Sequence, residues 1–335
     1  MKFLIVRFSS IGDVVLTTPV VRCIKEQQPE AIIHFITKKS YKAVLDANPY
    51  IDQLITIEHS IDEVLETLKE NNYDFVIDLH HNIRTFRLKR SLKRPSSAFP
   101  KKNFSKFLLT TFKLNRLPKV HVVDRYFETV KQFKIVPDNK PADFFLTEKD
   151  ELELSDYALL PKQYLAVSMG AQFATKQMPI LLLKKVLTQI DCPIVLLGGD
   201  VDVARADELT SQLTNKKIIN FCGTVTLKKS AFLLKQSALL LTGDTGLMHI
   251  ASCFEIPIVS VWGNTVPDFG MYAYYPTKPE LATIHEVKGL SCRPCSKIGY
   301  QKCPKKHFNC MNLQDETKII EAITKFLQKT NVSTQ

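Results

Sequence analysis

The chain has 335 residues, enough for about two domains of ordinary size. Apolar residues make up 45% and charged residues 24%, the balance of a globular protein and not of a disordered, collagen-like or coiled-coil chain. No apolar run reaches the roughly 18 residues a membrane span needs, and 45 Lys and Arg against 34 Asp and Glu leave a net charge of +11.

The first run, MKFLIVRFSSIGD, has about five apolar residues before Arg7 and no small-residue cleavage site. It suits a buried first strand, Phe3–Phe8, better than a signal peptide, and predicts a cytoplasmic protein. Further strands are expected at Ala31–Ile36, Gln53–Ile57 and Phe75–Leu79, with a helical stretch at Ser60–Glu70. The pattern weakens between Val136 and Lys162, which holds Pro137, Asn139, Pro141 and Pro161. It restarts with strands at Tyr164–Ser168, Ile194–Leu197, Lys217–Asn220, Leu239–Leu241 and Ile258–Val261. Helices are expected at Ile180–Gln189 and Leu227–Gln236, and a final amphipathic one at Lys318–Leu327. Strands alternating with helices predict an α/β chain of two doubly wound parallel-sheet domains, 1–155 and 156–335, whose last helix is able to pack back on the first. Ligands of such folds bind beyond the carboxyl ends of the strands.

Three segments carry candidate chemistry. In Arg7–Pro19, RFSSIGDVVLTTP, a strand runs into a loop with Ser9, Ser10 and Gly12, then Asp13. Gly12 permits a tight turn or a close approach to a ligand. Asp13 reads either as a helix cap or as a general base at the end of the first strand. Pro19 marks a break in the first helix. There is no Gly-Lys-Ser/Thr and no G-x-G-x-x-G, so the loop is neither a Walker A motif nor a dinucleotide fingerprint. In Ser168–Pro179, SMGAQFATKQMP, Lys176 can place a point charge on a phosphate, and Pro179 suits a helix start. In Leu239–Gly263, a strand enters the polar turn Gly243, Asp244, Thr245 and Gly246, and a helix follows with His249 in its first turn. Free backbone N–H groups at that helix start suit a diphosphate. Lesser signals are LLGGDVD, with Asp200 placed to accept ribose hydroxyls, and DLHHN, Asp78–Asn82, on the acceptor side or as a helix cap.

Between Arg84 and Lys119 there are twelve basic residues and no acid, interleaved with Phe86, Phe99, Phe104, Phe107 and Phe112. Such a patch attracts a polyanion: nucleic acid, an anionic membrane surface, or a phosphorylated lipid or glycan. No helix-turn-helix, zinc finger or RNP-like motif supports nucleic acid. Cys23, Cys192, Cys222 and Cys253 read as core residues. Cys292, Cys295, Cys303 and Cys310, with His307 among them, are spaced closely enough to bind zinc. The gap between the pairs is shorter than in ordinary zinc ribbons, and structural thiols are the preferred reading.

The order and spacing of SSIGDVVLTTP, DLHHNIR, GAQFATKQMP, LLGGD, GDTGLMHIA with PIVSVWGNT, and the Cys292–Cys310 block resemble glycosyltransferase family 9, the heptosyltransferases that build the inner core of bacterial lipopolysaccharide. The resemblance spans nearly the whole chain. It implies a GT-B fold, two Rossmann-like domains facing across a cleft that closes to exclude water. It also implies metal-independent, inverting transfer of a heptose from an ADP-sugar to a phosphorylated Kdo–lipid A acceptor at the cytoplasmic face of the inner membrane. The family's base falls on Asp13. Donor contacts fall on Lys176, Asp200, Asp244, Thr245, Gly246 and His249, with Val225 beside the adenine. Val225 stands where the family has a larger apolar residue, and Asp200 where it has a longer acid. The basic segment, with Arg84, Arg87, Lys101 and Lys102, is expected to hold the acceptor in the first domain. No cofactor, metal or nucleic acid is expected. The alternatives are a related sugar donor or glycan acceptor, or a non-enzymatic nucleotide- or nucleic-acid-binding protein.

Overall fold

Strand segments such as KFLIV, IVLL and LLLT are apolar at nearly every position, which suits parallel sheets covered on both faces. The computed structural model describes residues 1–333 and divides them into two compact units. The first holds Met1–Lys102 and Lys119–Phe145; the second holds Asn103–Pro118 and everything from Leu146 onward. The division thus falls about ten residues before the one read from the prolines. Residues 103–118 of the basic segment, with Lys106, Lys113 and Arg116, pack with the second unit instead of the first.

The first unit carries β1 (Lys2–Val6), β2 (Ile32–Lys38), β3 (Gln53–Ile57), β4 (Phe75–Asp78) and β5 (Ser96–Ala98), in the order β3-β2-β1-β4-β5, all parallel. The second carries β6 (Leu165–Ser168), β7 (Ile194–Leu197), β8 (Ile218–Asn220), β9 (Leu239–Thr242), β10 (Ile258–Trp262) and β11 (Ala282–Glu286), in the order β11-β10-β9-β6-β7-β8, also all parallel. In each sheet the winding reverses once, between β1 and β4 and between β6 and β9. Loops from such neighbouring strands diverge and leave a crevice at their carboxyl ends.

β5, β11 and the helix Ile83–Leu92 have no counterpart in the sequence reading. The two strands lie at sheet edges and are only partly buried, so their apolar signal is weak. The helix IRTFRLKRSL buries only Thr85, Leu88 and Leu92. The first helix is interrupted as expected, into Ile11–Val15 and Thr18–Gln27 with Pro19 at its start, and Gly12 is buried within the first piece. The last helix, Glu316–Ser333, sets Ile319, Ile323 and Phe326 into the core of its own unit, beside Leu182, Val186 and Leu239.

Residues 136–145 strap the first unit together. Gln27 exchanges hydrogen bonds with the backbone of Val136, at 2.7 and 3.1 Å. Arg22, 2% exposed, pairs with Asp138 at 2.8 Å, pairs with Asp143, and donates to the Pro141 carbonyl at 3.0 Å. Burial pushes the Asp143 carboxyl up against the pull of Arg22, so this guanidinium is what keeps a desolvated acid tolerable. Arg22→Ala leaves two carboxylates facing an apolar interior. It should lower the unfolding free energy by about 3–5 kcal/mol, read by urea denaturation, while Arg94→Ala on the surface should change it little.

Candidate active site

The crevice of the first sheet gathers Arg7 from the end of β1, Asp13 from the helix it leads into, and Asp78, His80 and His81 from the end of β4. Ser10 is the N-cap of Ile11–Val15 and Asp13 its third residue, a capping box. The Asp13 Oδ2 accepts from the Ser10 hydroxyl at 2.8 Å and the Ser10 N–H at 3.2 Å. Its Oδ1 pairs with Arg7 Nη2 at 2.6 Å. Asp13 therefore caps its helix and remains a quarter exposed at the carboxyl end of the sheet.

Arg7 is buried. Its Nε donates to the Ser9 carbonyl at 2.8 Å, and its Nη1 to the Leu79 carbonyl and, at 3.2 Å, to the Tyr126 hydroxyl. Burial works to lower its proton affinity, but the charge and hydrogen bond of Asp13, with Tyr126 and Asp78, together outweigh it, and the net shift is upward. The guanidinium so braced fixes the rotamer of Asp13. His80 lies edge-on to Phe8, with ring centroids 5.2 Å apart. Burial, then the charges of Arg7 and Lys101, push its pKa down to about 3, so it is a neutral imidazole at pH 7. Asp78 is fully buried, accepts from the His80 and His81 N–H groups, and pairs with Lys89 at 2.8 Å. Arg7 and His80 lie inside motifs read from the sequence and Lys89 inside the basic segment, but their individual roles follow from the fold, which places them around Asp13 and Asp78.

The acceptor candidates of this unit follow the same strand ends. Arg84 and Arg87 are exposed on Ile83–Leu92, the helix that leaves β4, capped by Asn82. Lys101 and Lys102 follow β5, and Lys101 is the one whose field reaches His80.

In the second unit the loops after β6 and β9 meet. Lys176 Nζ pairs with Asp244 Oδ2 at 2.6 Å, and the Thr265 hydroxyl donates to the same oxygen at 2.8 Å. Asp244, expected as part of an anion-binding turn, is thus the group that holds Lys176. An ammonium has three donors, so Lys176 keeps capacity for a further anion. Thr245, N-cap of the helix Gly246–Cys253, links by its hydroxyl to Thr242 at 3.0 Å and Ser168 at 3.5 Å. His249 is only 3% exposed, set into the interior side of that helix. Asp200 is exposed beyond β7, close to Gly223, and Val225, partly buried, follows two residues later. The structure therefore brings Lys176, Asp244, Thr245 and Gly246 to one crevice and Asp200 with Val225 to the adjoining strand ends. Asp202 was missed: buried under the β6 loop, it accepts from the Gly199 N–H at 2.9 Å. Its only sequence signal is an acid three residues after a glycine N-cap.

Cys292, Cys295, Cys303 and Cys310 are all free thiols and, with His307, line a cavity of about 20 Å³. Among the described residues no group of His, Cys, Asp or Glu is arranged to hold a metal ion. No described helix is long and apolar enough to cross a membrane.

Two parallel-sheet units, each with a polar crevice where its winding reverses, define an α/β protein of the GT-B class. Residues 61–303 match glycosyltransferase family 9 (heptosyltransferase), which is most of the chain, and the protein belongs to that family of glycosyltransferases. It is similar to lipooligosaccharide heptosyltransferase 2 of Campylobacter jejuni, 24% identical over 99% of this chain and 100% of that protein. It is also similar to lipopolysaccharide heptosyltransferase 3 of Escherichia coli, 24% identical over 86% and 93%. The fold matches a family 9 glycosyltransferase from Veillonella parvula, with a TM-score of 0.78, 22% identity and coverage of 98% and 97%. It also matches ADP-heptose lipopolysaccharide heptosyltransferase II of E. coli, at 0.73 and 18%, over 99% and 100%.

Gly243 is where the β9 loop touches its neighbour: a Cβ there would lie 2.5 Å from the Lys176 carbonyl oxygen. A backbone atom cannot swing aside, so Gly243→Ala should displace the Lys176 loop and cost about 1–3 kcal/mol. Gly199, with nothing within 4 Å, is the matched control, and its alanine variant should unfold like the wild type. Parallel urea titrations measure both.

Proposed function

We propose that the protein transfers a heptose from an ADP-heptose donor to the phosphorylated inner core of lipopolysaccharide, with inversion and without a metal, at the cytoplasmic surface of the inner membrane. The observation that carries the reading is the pairing of Lys176 with Asp244 at the winding reversal of the second sheet, matched by Asp13 at the reversal of the first. The names of the similar proteins support a heptose donor and a lipopolysaccharide acceptor.

In this reading the second unit binds the donor and the first the acceptor. Departure of ADP leaves negative charge on a diphosphate. Lys176 and the backbone N–H groups at Thr245 and Gly246 stabilise it as it develops, with no reorganisation at the moment of reaction. His249 supports that helix start from within. Asp200 accepts ribose hydroxyls and Val225 lies against the adenine. Asp13 takes the proton from the acceptor hydroxyl as its oxygen attacks the anomeric carbon. Arg7 and Ser10 hold that carboxylate in one rotamer, and neutral His80 adds no competing positive charge. Arg84, Arg87, Lys101 and Lys102 bind acceptor phosphates, Arg by its bidentate fork.

Asp13→Asn should cut acceptor-dependent ADP release from ADP-heptose and Kdo-bearing lipid A by about 10²–10⁴-fold, with ADP still raising the melting temperature. Lys176→Met should lose both the release and that thermal stabilisation. Unchanged release in Asp13→Asn would remove the base; failure of ADP to stabilise the wild type would remove the donor. Replacing Arg84 and Arg87 together with alanine should raise the KM for the phosphorylated acceptor about tenfold or more while leaving the ADP-induced stabilisation intact. Equal KM values would move the acceptor elsewhere.

A further inference from the structure

The basic segment Arg84–Lys119 is divided by the fold, and its second part does something its charge alone does not predict. Residues 103–118 leave the first unit's chain and pack on the second as one short irregular helix, Asn103–Phe107 running into Leu108–Phe112. Its inner side is fastened at four places. Leu109, 7% exposed, sits with Leu117 against Val266 and Phe269. The Lys106 ammonium lies over the Phe269 ring at 5.6 Å. Lys113 donates to the Pro294 carbonyl at 2.7 Å, and Asn115 to the Asp268 carboxylate at 2.8 Å.

Four large apolar side chains of the segment are exposed. Phe104 is 72% exposed, Phe112 58%, Leu114 53% and Phe107 47%. The Phe107 and Phe112 rings pack edge to face, with centroids 5.8 Å apart, and Phe104 and Leu114 lie within three residues of them along the segment. Single exposed apolar residues are ordinary, but an outward cluster held on a braced platform marks an interaction surface. The surrounding charge specifies the occupant: the segment contains Lys106, Lys113 and Arg116 and no acid. A second copy would present the same positive charge and be repelled.

We propose that residues 103–118 form an interfacial anchor that inserts Phe104, Phe107, Phe112 and Leu114 between the headgroups of an anionic bilayer. An apolar wedge with the exposed Arg116 beside it, on a segment without an acid, matches the depth and charge of such an interface, where the rings leave water and the guanidinium meets a lipid phosphate. The anchor extends the membrane-acceptor part of the function proposed above and rests on it for the choice of an anionic lipid surface. It adds that the unit carrying the Lys176 cluster makes the apolar contact itself. Arg84, Arg87, Lys101 and Lys102 are not needed for it.

The test is co-sedimentation of the full chain with vesicles of phosphatidylcholine, with and without phosphatidylglycerol, in the absence of any sugar acceptor. Wild type should partition to the anionic vesicles. The double variant Phe104→Ser/Phe112→Ser should partition about tenfold more weakly, and Arg116→Gln should weaken binding to a smaller extent. Both variants should melt like the wild type and keep its stabilisation by ADP, which separates loss of the anchor from loss of the fold. A wild type that stays in solution, or a double variant that sediments as the wild type does, overturns the proposal. So does concentration-dependent self-association that the two serines abolish, which would make the patch a protein interface. If vesicles bind and ADP does not stabilise, the donor reading fails and the anchor stands.

Discussion

The structure depends on a constraint of parallel sheets: consecutive strands cannot be joined by tight hairpins, so every connection returns over a face and every strand delivers its following loop to the same edge. When the winding changes direction beside the starting strand, two loops part at that edge and leave room between them. Both sheets of this chain reverse once, beside β1 and beside β6. The residues with chemistry leave from those strands and their new neighbours: Arg7 and Asp78 in one unit, Ser168 and Thr242 in the other. Nothing in the loops themselves would converge without that reversal.

The two crevices solve a shared electrostatic problem in opposite ways. Each must keep a charged group near low-dielectric strand ends. In the first, the group presented is an acid and the buried brace is a base: Arg7, tied to backbone carbonyls and Tyr126, holds Asp13. In the second, the group presented is a base and the brace is an acid: Asp244, tied to Thr265, holds Lys176. In the proposed function the polarity follows what each crevice meets, a proton to be removed in the first and an anionic leaving group in the second. Asp78 with Lys89 extends the first network beneath β4.

The late cysteines and the basic segment show what composition leaves to the structure. Four thiols close in sequence invite a metal reading. In the fold they line a small cavity, and burial, with the neighbouring thiols, raises the Cys310 pKa to about 11. The basic segment reads as one patch because charge is counted along the chain. Leu109 and Leu117 find their apolar partners in Val266 and Phe269, more than 140 residues further on, and no local pattern announces a contact at that separation.

By itself the sequence determined the α/β rhythm, nearly all central strands, the broken first helix at Pro19, and the loops that hold Asp13, Lys176 and Asp244. These are legible because apolar runs, glycines and prolines act locally, within a few residues of where they stand. The tertiary structure decided the rest. It chose the edge strands β5 and β11, which bury too little to leave a pattern. It brought Tyr126 to the Arg7 that pairs with Asp13, paired Lys176 with Asp244, and set His249 inside. It also placed residues 103–118 on the second unit. Each of these is a contact between side chains far apart in sequence, whose energy exists only once the sheets have fixed where the chain passes.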